Sequence, residues 1–239
     1  MRNKTITEIG QPTRLFYNTM QELKALIEKE IRLEWRQRYA LNGMILYIVS
    51  TVFVCYTSFA LKAKGIEPIT WNTLFWIILL FTAVNSITKS FTQERAGRQL
   101  YYYTLASPQG IILSKIIYNI VLLLALSLIG FSIYAAFLGN PVQNLTMYLT
   151  AVILGAIGFS STLTMVAGIA SKAENTSTLM AVLSFPVILP MLLMLIRLSK
   201  NAMDGLEWST SYDEILTLLA IDAIVITISY LLFPFLWRS

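Results

Sequence analysis

Residues 94–108, Glu-Arg-Ala-Gly-Arg-Gln-Leu-Tyr-Tyr-Tyr-Thr-Leu-Ala-Ser-Pro, are the most polar and aromatic interruption in a 239-residue chain that otherwise reads as one apolar run after another. Glu94, Arg95 and Arg98 place both signs of charge within five residues, and Gly97 allows a close backbone approach. Leu100, Tyr102 and Leu105 have the spacing of a short helix, which Pro108 would stop. Two readings fit: a docking site for a partner, or a loop resting on lipid headgroups with its tyrosines at the interface.

Outward from this stretch the chain is apolar on both sides. The sequence is 56% hydrophobic and 13% charged, a balance that belongs to membrane proteins rather than soluble domains. A hydrocarbon core about 30 Å thick needs roughly 20 residues of helix. Six segments meet or approach that length, at about Leu41 to Leu61, Trp71 to Thr88, Ile111 to Leu138, Leu145 to Ala170, Thr178 to Leu198 and Ile215 to Leu236. The third and fourth are long enough to tilt, or to begin as interfacial helices. The reading is an all-α integral membrane protein with six transmembrane helices.

Residues 1–18 read as a polar tail with no cleaved signal peptide. Residues 19–40 read as an amphipathic surface helix, in which Leu23, Ile27, Ile31, Trp35 and Tyr39 recur every four residues beside a charged row of Lys24, Glu28, Arg32 and Arg36. Glu30 and Glu34 fall near the apolar face, with Arg38 available to Glu34. Residues 41–239 then form the six-span domain, with the polar segment at 89–110 between its second and third spans.

The basic residues set the orientation. With a cytoplasmic N-terminus, fourteen of the eighteen Lys and Arg fall inside, and only Lys62, Lys64, Arg197 and Lys200 fall outside. Both termini and segment 89–110 are then cytoplasmic, and Ser199 to Glu214 forms the largest outer connection. A net charge of +5 could suggest nucleic acid, but in a multispan protein the location of the charges matters more than their sum, and no nucleic-acid partner is expected.

Catalysis and resident metals find little support. Histidine is absent, and the single cysteine, Cys55, lies in an apolar run, so the usual triads and zinc sites have no ligands here. No phosphate-cradling Gly-x-x-x-x-Gly-Lys-Ser/Thr loop is present. We therefore expect no catalytic residues, no metal and no resident cofactor.

Three features inside the spans stand out. Ala151, Gly155, Gly158 and Thr162 line one face of the fourth span with small residues, suited to close packing within the chain or to a dimer seam. Pro186 and Pro190 in the fifth span each remove a backbone hydrogen bond, which predicts a kink or split, either tolerated or used as a hinge. Asp222 is the sole acidic residue deep in a span; it reads as a neutral hydrogen-bonding carboxyl or as a proton or substrate site.

The segment 94–108, with its Glu-Arg-x-x-Gly start and Ser-Pro end, resembles the cytoplasmic coupling segment of six-span ABC-2-type permeases. Leu33-Glu-Trp-Arg-Gln-Arg-Tyr-Ala-Leu-Asn-Gly43, Leu154-Gly-Ala-Ile-Gly-Phe159 and Leu183-Ser-Phe-Pro-Val-Ile-Leu-Pro190 narrow the resemblance to the CcmB family, permease subunits of the cytochrome c maturation haem exporter. The resemblance runs from about Leu23 to the C-terminus. It implies a multi-pass subunit of the bacterial inner membrane, working as a homodimer with a CcmA-like ABC ATPase that binds ATP-Mg. It also implies a haem-handling C subunit and a small D subunit as partners, and haem as cargo. By the same resemblance Glu94, Gly97, Leu100, Leu105 and Pro108 form the surface gripped by the ATPase. Two other functions stay open: an ABC-2 permease for a lipid, glycan or drug, and a non-conducting component that uses ATPase motion to release a haem-loaded partner.

Overall fold

A computed structural model describes residues 10–36, 38–60, 66–92, 107–170 and 176–238. The described elements are all helical: α1 (Gly10–Arg36), α2 (Arg38–Ala60), α3 (Pro68–Thr92), α4 (Pro108–Leu138), α5 (Leu145–Ala170), α6 (Thr176–Met203), a 3-10 turn (Trp208–Ser211) and α7 (Tyr212–Arg238). Helices satisfy their backbone polar groups internally, as a chain crossing hydrocarbon must. Six of them, α2 to α7, are long and apolar enough to cross a membrane, over Leu41–Phe59, Pro68–Thr88, Pro108–Leu138, Leu145–Ala170, Val182–Met203 and Trp208–Phe235.

Helix α5 is the centre of the bundle and packs on α3, α4, α6 and α7. Its sequence explains the position. Gly155, Ala156, Gly158, Ser160, Ser161, Thr162 and Thr164 are all buried, and side chains this small let four neighbours approach closely where apolar burial alone gives no preference over lipid. Gly155 lies against the Trp76 ring and Leu195, and Gly158 against Met191 and Asp222. Met147 of α5 accepts a hydrogen bond from Ser211 at 3.7 Å, an offset of 64 residues. Gly158 and Asp222 have the same offset, so α5 and α7 run parallel.

The end of the bundle at the C-terminus of α4 is knit by aromatic and amide side chains. The Trp71 indole donates to the Gly139 carbonyl at 3.1 Å, and the Tyr134 hydroxyl donates to the Trp71 carbonyl at 3.0 Å. Asn72 donates to the Ile196 carbonyl at 3.1 Å, and Trp76 donates to Ser199 at 2.8 Å. Each ring thus keeps its polar atom satisfied while its body fills the core. Gly139 ends α4 at φ 80°, a conformation that glycine adopts without strain.

Three sequence expectations change. The first helix begins at Gly10 rather than near Thr19, with Pro12 in its first turn, where a missing N–H leaves no intrahelical bond unmade. The fifth span continues to Met203, so most of the expected Ser199 to Glu214 connection is helical and only Asp204 to Glu207 join α6 to the 3-10 turn. Lys200 supports this extension through a 2.6 Å bond to Asp204 one turn on. Helix α6 also runs unbroken through Pro186 and Pro190 and is not split.

Candidate functional site

Ser107 and Pro108 are where segment 89–110 enters α4, and their local structure follows from residue type. Ser107 is the N-cap, its Oγ accepting the Gly110 N–H at 3.2 Å, and Pro108 occupies the first turn, where its lost N–H costs nothing. Pro108 therefore starts a helix; the short helix it is expected to stop lies outside the described residues. A second partner comes from far back in the chain: Glu22 Oε1 accepts both the Ser107 N–H at 2.6 Å and the Ser107 hydroxyl at 2.9 Å. A carboxylate at this helix start also meets the positive end of the backbone dipoles.

Two turns further along, the Lys115 ammonium lies 3.2 Å from Glu30 Oε1, with both side chains buried, at 1% and 7% exposure. Lys29 approaches the same oxygen at 3.0 Å. Glu22 with Ser107 and Glu30 with Lys115 share an offset of 85 residues, so α1 and α4 run parallel and in register. Beyond the pair, Glu34 and Tyr118 line an apolar cavity of about 310 Å³ together with Ile27, Ile31 and Val121.

This geometry reassigns the faces of α1. The row Glu22, Leu26, Glu30 turns to α4, so the carboxylate expected to spoil the apolar face is the one that docks. The apolar stripe is half-buried at Leu23 and Ile27 and turns outward toward its C-terminal end, with Ile31 at 49% and Trp35 at 67% exposure, and Met20 is also exposed. The Arg38 side chain lies outside the described residues, as do Glu94, Arg95, Gly97, Arg98, Leu100 and Leu105. The sequence held one signal for the missed contact: a glutamate misfitting an apolar face, and a lone lysine four residues into the third span.

Within the bundle, Ala151, Gly155, Gly158 and Thr162 are all buried by the chain itself. Pro186 and Pro190 lie on the exposed face of α6 with Val182, Phe185, Leu189 and Leu193, while Ser184, Ile188, Met191 and Leu195 point inward. Asp222 is buried at 4% exposure against Gly158 and Met191. Neither of its carboxylate oxygens has a hydrogen-bond partner among the described residues, and the Ser160 and Thr162 hydroxyls of α5 share that state. Burying a neutral amide costs less than burying a carboxylate in this setting. Asp222→Asn is therefore expected to hold stability within about 1 kcal/mol of the parent or above it, as read by thermal unfolding in mild detergent; a larger loss would reveal a partner for the acid.

Six helices long and apolar enough to cross a membrane, one of them the small-residue central helix α5, define a polytopic α-helical membrane protein. The model of the CcmB protein family matches residues 21–236, and the chain belongs to that family. It is thus an ABC transporter permease of c-type cytochrome biogenesis, a transmembrane subunit of a complex with an ATPase partner. Neither a curated protein nor a solved structure gives a match.

Proposed function

We propose that this chain is the permease subunit through which a separate ATPase drives haem delivery to the periplasmic face of the bacterial inner membrane, and that the ATPase docks on segment 89–110. Both termini are cytoplasmic in this reading, supported by the fourteen-to-four distribution of basic residues. Helix α1 lies at the cytoplasmic membrane surface, its exposed Met20, Ile31 and Trp35 in the headgroup boundary and its charged row toward water. The functional unit is a homodimer associated with the haem-handling C subunit and the small D subunit; haem is the cargo and ATP-Mg is bound by the ATPase.

The observation that carries the docking site is the way segment 89–110 is framed. Helix α3 leads into it through Thr92, and α4 leaves it at Pro108 with Ser107 clamped by Glu22. A push delivered at the ends of this segment passes into two helices. Helix α4 supports the same role by its length. Its 31 residues extend roughly 46 Å at about 1.5 Å per residue, about ten residues more than a crossing needs.

The test is a pull-down of tagged protein in mild detergent, with and without replacement of Glu94 and Gly97. The expected result is recovery of an ATPase subunit together with haem-binding partners, and loss of the ATPase in the replacements. An ATPase recovered without haem handlers would favour a lipid, glycan or drug as cargo. No ATPase at all would reject the docking reading. The topology has its own check: with Cys55 replaced by Ser, a cysteine introduced at Arg98 is expected to resist an impermeant thiol reagent in intact spheroplasts and to react once they are opened.

A further inference from the structure

We infer that α1 and the first three turns of α4 form one rigid lever, in which Glu22 and the Glu30–Lys115 pair are positioning residues that carry movement of the coupling segment into α1. The inference rests on the docking reading above, because it concerns what happens to motion delivered at segment 89–110.

Three observations support it. The two polar links have the same 85-residue offset, so sliding α1 along α4 breaks both together. The Glu30–Lys115 link is buried at 7% and 1% exposure, so separating the two helices would break an ion pair that water does not screen. Glu22 holds Ser107 by both its N–H and its hydroxyl, so the grip is on the last residue before α4. The rest of α1 offers little competition: it packs chiefly on α4, with a smaller contact to α2, and its stripe at Ile31 and Trp35 faces outward. Helix α1 is therefore attached to the helix that leaves the coupling segment and not to the packed centre around α5. When α4 tilts, α1 must travel with it through the membrane surface.

The experiment locks the link covalently in the assembled complex with its ATPase. Glu22→Cys and Ser107→Cys are combined in a Cys55→Ser background, bridged by a short bifunctional methanethiosulfonate, and ATP hydrolysis is measured before bridging, after it and after reduction. Removing the Glu22 carboxylate is expected to lower coupled activity by about fivefold, the scale of mutations along a coupling element, and bridging is expected to restore it. Glu22→Gln, which keeps an acceptor oxygen, should retain most of the activity where Glu22→Ala does not. Equal amounts of co-purified ATPase in all variants separate loss of the lever from loss of folding.

Arrest on bridging, reversed by reduction, would mean that α1 and α4 move apart in the cycle and would overturn the inference. Full activity of Glu22→Ala, or absence of a bridged product, would overturn it too. If the parent protein recovers no ATPase, the docking reading has failed instead.

Discussion

Glu30→Leu is expected to be the most damaging single change among the described side chains, lowering stability by about 3–5 kcal/mol. The leucine itself is tolerable at this position. What destabilises the protein is the loss of the 3.2 Å ion pair to Lys115, which at 1% exposure stays enclosed by α1 and α4. The reverse change, Lys115→Met, is expected to cost less, toward 3 kcal/mol, because Glu30 keeps Lys29 at 3.0 Å on the more exposed side. The double replacement Glu30→Leu with Lys115→Met removes both charges and should recover most of the loss, since a buried pair and an apolar pair of similar volume are often close in stability. Thermal unfolding of the four proteins in one detergent measures the cycle. Equal and additive losses in the two singles would show that the pair is not coupled.

Gly155→Ala, in the packed centre of the bundle, is expected to lower stability by about 1–3 kcal/mol, toward the upper end. A Cβ there would stand 2.6 and 2.9 Å from two carbons of the Trp76 ring and 3.2 Å from Leu195. The ring has nowhere to go. Trp76 is fully buried, stacked edge-on with Phe159 at 6.2 Å, and tethered through its indole N–H to Ser199. Relief must come from moving α5 away from α3 and α6, which loosens the helix that packs on four of its neighbours. Trp76→Leu in the Gly155→Ala background makes room for the methyl and should recover part of the loss, at the expense of the Ser199 bond. By contrast, a Cβ at Gly139 would meet nothing within 4 Å, and a substitution there is strained only through its positive φ.

The two cases differ in how far the sequence reveals them. The stripe Ala151, Gly155, Gly158 and Thr162 is visible as a spacing of four, three and four along one helix, and close packing follows from residue size alone. Which ring fills the groove is not visible, because Trp76 reaches Gly155 from a helix almost eighty positions earlier. The Glu30 contact is harder still. Rows 22-26-30 and 23-27-31-35 differ by one residue, about 100° around a helix, and the sequence favours the apolar row as the face laid on the membrane surface, with no helix partner for the acidic row. In the structure the acidic row packs on α4, which presents a serine N-cap and a buried lysine in matching register, while the apolar row is half-buried at Leu23 and Ile27 and exposed at Ile31 and Trp35.

Asp222 shows the opposite limit. Its isolation in a span is plain from the sequence, and the structure adds its neighbours, Gly158 and Met191, without adding a hydrogen-bond partner among the described residues. Pro186 and Pro190 are equally visible as breakers, yet the helix continues through them. Both sit on the outward face, where their rings take no room from the packed side formed by Ile188, Met191 and Leu195.

By itself the sequence determined the six crossings, the polar interruption between the second and third, the absence of histidine chemistry and the family. These are local properties: a span is recognised by about twenty apolar residues in a row, because the bilayer sets that length for any helix. The tertiary structure alone decided that α1 runs parallel to α4, that Glu22 holds Ser107 and that Glu30 meets Lys115. Those links join residues 85 positions apart, and buried Lys115 meets Glu30 only because another helix brings that carboxylate within about 4 Å. No stretch of sequence contains that condition, because it is met only when two helices pack in one register.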